Sequence, residues 1–207
     1  LAIPMNGYMM RIYRGETSAP EVDRWGRLFI DGLKLMIVAF IYAIPICIIW
    51  LLTYGAMMAT VFSGHADSAA MAGWEPNIGL IMLMYLVEFI VALLMPVASI
   101  RFARSNRFFE AFRFGEILDQ IRKIGWINYV IAIFLVAIIV AIPVTALIFV
   151  LLILGIFVGA ITNFSLIAML GILAVAILLF LLIFPIVMVF QARFWTRLYD
   201  SAAVPAA

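Results

Sequence analysis

IGWINYVIAIFLVAIIVAIPVTALIFVLLILGIFVGAITNFSLIAMLGILAVAILLFLLIFPIVMVFQA, residues 124–192, runs without a charged side chain, and Lys123 and Arg193 bracket it. A water-soluble domain cannot bury a run of that length. The chain is therefore an integral membrane protein, and soluble enzyme folds, nucleic-acid modules and disordered tails are excluded. A membrane helix needs about 20 mostly apolar residues to cross a hydrocarbon core of about 30 Å, so the run must be divided. Its glycine and polar residues cluster once, in GIFVGAITNFS (residues 155–165). This predicts a hairpin of two helices, about 127–154 and 166–190.

The rest of the chain extends this pattern. Of its 207 residues, 68% are hydrophobic and 12% charged, against about 25% charged in soluble domains. Two further spans are expected, at about 35–54 and about 77–100, the second carrying one charge, Glu88. The 13 basic residues test the count of spans. Arg11, Arg14, Arg24, Arg27 and Lys34 precede the first span; Arg101, Arg104, Arg107, Arg113, Arg122 and Lys123 lie between the second and third; Arg193 and Arg197 follow the fourth. The other two connections carry none. Basic residues mark the cytoplasmic side, so four spans are expected in the cell membrane, with both ends and the central connection cytoplasmic. The single cysteine, Cys47, excludes an intrachain disulfide.

The spans read as a doubled unit. YAIPICII around Pro45 matches VAIPVTAL around Pro143, while MPVASIRFAR and FPIVMVFQAR each place an arginine eight residues after a proline, Pro96 to Arg104 and Pro185 to Arg193. Trp25-Gly26 stands before LFIDGLKL as Phe114-Gly115 stands before EILDQIRKI. The expected fold class is an all-α polytopic transmembrane bundle whose four spans form two tandem, parallel helical-hairpin repeats, each preceded by an amphipathic interfacial segment. Within one membrane domain, 1–207, residues 1–14 read as the end of a longer helix, 15–100 and 101–192 as the two units, and 193–207 as a cytoplasmic tail. The stretch 108–124 reads as one interfacial helix, with Phe114, Ile117, Leu118, Ile121 and Ile124 on its apolar face.

Glu88 is the sharpest functional candidate, because an ionisable residue inside a span is costly and functional by default. No Lys, Arg or His lies within any predicted span. The carboxyl is then protonated and bonded to Tyr85, Thr53 or Thr145, open to a water-filled cavity, or paired with another molecule. Arg101, Arg104, Arg107, Arg113, Arg122 and Lys123 are the candidates for contact with anionic lipid. Met57, Met58, His65 and Met71 carry soft donors on one outer connection, but methionine is common throughout and no metal site is expected. Trp50, Trp74, Trp126 and Trp195 read as interface anchors. Pro45, Pro96, Pro143 and Pro185 are expected to kink their helices.

His65 is the only histidine, there are no paired intramembrane carboxylates, and no glycine-rich loop leads into Lys-Ser or Lys-Thr. Neither an enzyme nor a cofactor is expected. The partners expected are the lipid bilayer and other membrane subunits, with no nucleic acid. The favoured role is an accessory or scaffold subunit of a larger membrane complex. The alternative is a small transporter or lipid-handling protein that uses Glu88 and the repeat interface, and a water-accessible cavity at the depth of Glu88 would discriminate between them.

GYMMRIYRG (residues 7–15), RWGRLFIDGLKL (residues 24–35) and the long, specific RFARSNRFFEAFRFGEILDQIRK (residues 101–123) carry a resemblance to the domain-of-unknown-function 4013 family of prokaryotic, largely archaeal, integral membrane proteins. It covers most of the chain from Gly7 to the fourth span. Members of that family usually have another hydrophobic segment before the Gly-Tyr motif, which agrees with residues 1–14 ending a longer helix. The resemblance implies a multi-span protein and brings no reaction, substrate or catalytic residue.

Overall fold

Long apolar stretches with no internal break become helices that overrun a bilayer. The computed structural model of the chain describes residues 2–16, 24–63, 75 and 77–202. Among the described residues the order is α1 (Ala2–Tyr13), α2 (Trp25–Phe62), α3 (Ile78–Ser105), a 3-10 turn (Phe108–Phe112), α4 (Phe114–Ile124), α5 (Trp126–Ile161) and α6 (Leu166–Ser201), with no strand. Helices α2, α3, α5 and α6 are long and apolar enough to cross a membrane, so the chain is an all-helical, multi-pass membrane protein. The 38 residues of α2 span about 57 Å, against a hydrocarbon core of about 30 Å. Pro45, Pro96, Pro143 and Pro185 sit inside these four helices, and none ends its helix.

Helix α5 reaches Ile161, so the hairpin turn is shorter than the polar cluster suggested and comprises residues 162–165. Asn163 and Phe164 both adopt left-handed backbone, at φ 51° and 53°. Asparagine takes that conformation readily, whereas a bulky residue there is strained. The Phe164 N–H donates to the Gly159 carbonyl at 2.7 Å, and its ring packs where a side chain on Gly159 would stand.

The two amphipathic stretches part company. LFIDGLKL forms early turns of α2, continuous with the span, because no proline or left-handed residue interrupts it after Arg24 (φ 53°). EILDQIRKI forms a separate helix, α4, cut from α5 by Gly125 at φ 96°. The single helix expected over 108–124 is two pieces, and α4 begins only at Phe114. Glu116 in its first turn and Arg122 and Lys123 in its last suit the helix dipole. Its apolar face is divided: Ile117 and Ile121 are fully buried against the protein, while Phe114 and Leu118 are exposed.

The core lies at one end of the bundle. Met10 and Ile12 of α1, Ile100 and Phe102 of α3, the two α4 isoleucines and Tyr129 of α5 form one buried cluster. Away from it the helices present apolar side chains outward, and no residue in the most apolar stretch of α6 is buried. Helix α1 crosses α2 at two glycines. A Cβ on Gly7 would strike the Leu28 carbonyl, and one on Gly32 would strike the Ile3 carbonyl. Small residues at a crossing let helix backbones touch, and these two position α1 in the middle of the charged end.

Candidate functional site: the charged end

The sequence ends α1 and α3 by different devices with one consequence. Helix α1 closes on Gly15 (φ 99°), whose N–H donates to the Ile12 carbonyl while that of Glu16 donates to Arg11. Helix α3 closes on Asn106 (φ 54°), whose N–H donates to Phe102. Both ends leave further carbonyls without a helical donor. Each helix then supplies the other's. Arg14 Nε donates to the Ala103 carbonyl at 3.2 Å, and Arg104 Nε donates to the Tyr13 carbonyl at 3.1 Å. The remaining guanidinium nitrogens reach outward to different helices. Arg14 Nη1 pairs with Asp31 of α2 at 2.8 Å, and Arg104 Nη2 pairs with Asp200 of α6 at 2.7 Å. Arg104 also lies over the Tyr199 ring, 4.7 Å from its centre. A guanidinium donates in several directions from one rigid plane, so two arginines join four helices.

A second node fixes α4. Arg101 Nη2 donates to Glu110 at 2.7 Å and Arg113 Nη1 to the other oxygen of the same carboxylate at 2.8 Å. Glu116 lies 3.6 Å from each arginine. Hydrogen bonds from Arg113 and then Arg101 hold the Glu110 carboxyl below the usual carboxylate range. Tyr42 of α2 donates to the Ala111 carbonyl at 2.6 Å, and Gln120 of α4 donates to the Tyr199 carbonyl at 3.2 Å.

Beside the first node opens a basin of about 640 Å³ in which Arg14, Arg27, Lys34 and Arg104 face one carboxylate, Asp31. Arg27, Asp31 and Lys34 recur at i, i+4 and i+7 on one face of α2. Arg27 and Lys34 are exposed and have no ion-pair partner among the described residues. Of the six basic residues the sequence pointed to, only Arg104 lines this basin. Arg101 and Arg113 belong to the Glu110 node, and Arg107, Arg122 and Lys123 are exposed elsewhere. Arg27 and Lys34 were missed as a site. Their helical spacing within RWGRLFIDGLK, flanking an acid, was the available signal.

A second cavity, of about 380 Å³, lies inward between α1, α2, α3 and α6. Its wall carries Asn6, Tyr13, Ser99, Gln191 and Trp195. Trp195 is half-buried and packs on Tyr129 with ring centres 5.8 Å apart. The hydroxyl of Tyr129 donates to the Leu93 carbonyl at 2.7 Å, which presses α5 against α3 at this level.

Glu88 is half-buried in α3. None of the partners expected for it is engaged with it: Thr53 donates to the Ile49 carbonyl of its own helix, and Tyr85 and Thr145 are exposed. Among the described residues the carboxyl has no hydrogen-bond or ion-pair partner. Glu88, Ala92, Met95 and Ser99 fall at i, i+4, i+7 and i+11 on one face of α3, and the last three line the inner cavity. Glu88 thus stands one helical turn beyond it. Met57 and Met58 lie in α2, whereas His65, Met71 and Trp74 fall outside the described residues. Among the described residues no three His, Cys, Asp or Glu side chains gather as a metal site.

No curated protein and no solved structure matches the chain. A family model, described as protein of unknown function (DUF4013), matches residues 1–153. The match takes in both arginine nodes except Tyr199 and Asp200 and ends within α5, so α6 lies beyond it. The chain therefore belongs to the DUF4013 family of proteins of unknown function.

Proposed function

We propose that this protein is a non-enzymatic lipid-handling protein that holds an anionic lipid headgroup at its charged end. The observation that carries the reading is the basin of Arg14, Arg27, Lys34 and Arg104 around a single acid. Arg14 and Arg104 are immobilised by the reciprocal bonds to Ala103 and Tyr13, and neither uses all five of its donors there. Arg27 and Lys34 add two cations without partners among the described residues. An anion entering the basin meets preorganised donors, so little ordering is needed on binding.

Reconstitution of the full chain in nanodiscs of phosphatidylcholine with a minor fraction of phosphatidylglycerol tests this. Lipids retained after extraction should be enriched in phosphatidylglycerol. A basic residue near an anionic surface contributes about 1 kcal/mol, so Arg27→Gln with Lys34→Gln should lower the enrichment about 30-fold. Equal enrichment in that double variant would overturn the reading.

Glu88 favours a second reading, an accessory subunit of a larger membrane complex, in which a partner supplies the donor that this carboxyl lacks. Purification in mild detergent should then yield a stoichiometric companion that Glu88→Gln loses. A companion-free monomer with Glu88 intact counts against it.

A further inference from the structure

The inner cavity has a chemistry unlike that of the basin. Asn6 and Tyr13 come from α1, Ser99 from α3, and Gln191 and Trp195 from α6. Tyr13 is 5% exposed and Ser99 4%, yet none of the five polar groups has a hydrogen-bond partner among the described residues. Asn6, Gln191 and Trp195 are half-buried, and no polar atom of this wall is among the wholly buried atoms that lack a partner, so the unused donors and acceptors stay accessible to a molecule that enters. The backbone adds an acceptor: Pro96 has no N–H to give the Ala92 carbonyl, and both residues line the cavity. No charged side chain lines it; Leu35, Met95 and Met188 are among the apolar remainder. Its volume of about 380 Å³ lies within the range of about 300–1,000 Å³ typical of small-molecule sites.

We infer that this cavity binds an uncharged, hydroxyl-bearing headgroup, that of a neutral membrane lipid of the diacyl- or dialkylglycerol class. A phosphate or ammonium group would enter without a counter-charge and is disfavoured. The amides of Asn6 and Gln191 and the hydroxyls of Tyr13 and Ser99 both donate and accept, while the Trp195 indole only donates. A glycerol unit with one free hydroxyl and two ester or ether oxygens offers the matching mixture. The apolar part of the wall and the site's place between membrane helices favour a lipid over a free polyol. The inference is independent of the anionic-lipid reading, because the two sites share no side chain. Tyr13 gives its carbonyl to Arg104 and also lines the cavity.

The test uses the full chain in mixed micelles of detergent and phosphatidylcholine with a photoreactive diazirine diacylglycerol. The probe should label peptides containing Met9, Met95 or Met188, and excess unlabelled dioleoylglycerol should suppress that labelling at least tenfold. Ser99→Ala with Gln191→Leu should reduce it at least fivefold. Ser99→Ala alone, a change small enough to keep the melting temperature, should reduce it at least threefold. Arg27→Gln with Lys34→Gln should leave it unchanged, which separates this site from the basin. If millimolar glycerol competes as well as dioleoylglycerol, the hydroxyl-bearing ligand stands and its lipid source falls. Labelling equal to that by a photoreactive phosphatidylcholine, or unchanged in both cavity variants, would mean that the polar wall does not select the headgroup and would overturn the inference.

Discussion

The charged end and the opposite halves of the helices are built from similar side chains, but they are organised differently. At the charged end Met10, Ile12, Phe102, Ile117, Ile121 and Tyr129 are almost wholly buried, two glycines let α1 and α2 touch, and arginines close each other's helix ends. In the apolar halves Phe149, Ile153, Phe157 and Leu178 all face outward. Lipid tails are as apolar as leucine, so burying one leucine against another gains little there. Where the helices leave the hydrocarbon, water restores the hydrophobic effect and free carbonyls need donors. Specific structure therefore concentrates at that end.

Substitutions that strike one region and spare the other can break this contrast. Gly32→Ala should have the largest effect, exceeding the usual overpacking cost of about 1–3 kcal/mol, because the obstacle is the Ile3 backbone and not a flexible side chain. Gly171→Ala, with nothing within 4 Å of the added Cβ, should be neutral or stabilise by up to about 1 kcal/mol. Unfolding of detergent-solubilised protein measures both, and equal effects would remove the contrast. Next comes Ile121→Ala, at about 2–5 kcal/mol for a fully buried aliphatic side chain, against under about 0.5 kcal/mol for an outward-facing residue such as Ile138.

Smaller effects sharpen the account of the arginines. Arg14→Gln and Arg104→Gln should each cost about 1 kcal/mol, since both side chains are partly exposed. The pair should cost less or more than the sum by about 0.5 kcal/mol or more, whereas strict additivity in a double-mutant cycle would mean that the two bonds act separately. The smallest effect concerns acid. Arg113 and Arg101 hold the Glu110 carboxyl below its ordinary range, so the node stabilises the fold fully at pH above the unfolded carboxylate value of about 4.3. That contribution is lost as pH falls through the lower folded value. Hydrogen exchange in α4 should accelerate over that acid range in the parent chain, and Glu110→Gln should flatten the acid dependence.

Some of this was legible in the chain. The charge-free run of 124–192 demanded two helices, and the absence of a second polar break limited it to two. The polar cluster marks the turn but overstates its length, because Gly155 and Gly159 remain inside α5. Glycine in an apolar helix is a weak breaker, and here Gly159 instead admits the Phe164 ring. The two amphipathic stretches look alike in sequence, yet one is fused to its span and the other is not. Gly125, in a backbone conformation closed to other residues, makes that difference. The basic residues were recognised as one population, but their partners were not. Asp31 and Asp200 lie far in sequence from Arg14 and Arg104, and no local spacing announces such pairs.

Composition and charge placement alone determined that this is a multi-pass helical protein, how many helices can span, and that Glu88 is the charged residue within the predicted spans. Those properties depend on transfer between water and hydrocarbon, which each segment undergoes largely by itself. Only the tertiary structure decided that α1 is central, that Arg14 and Arg104 close each other's helices, and that Asn6, Tyr13, Ser99, Gln191 and Trp195 meet around one cavity. Those features arise where backbones approach at glycines and where carbonyls lack helical donors, and the partners that satisfy such needs come from distant parts of the chain.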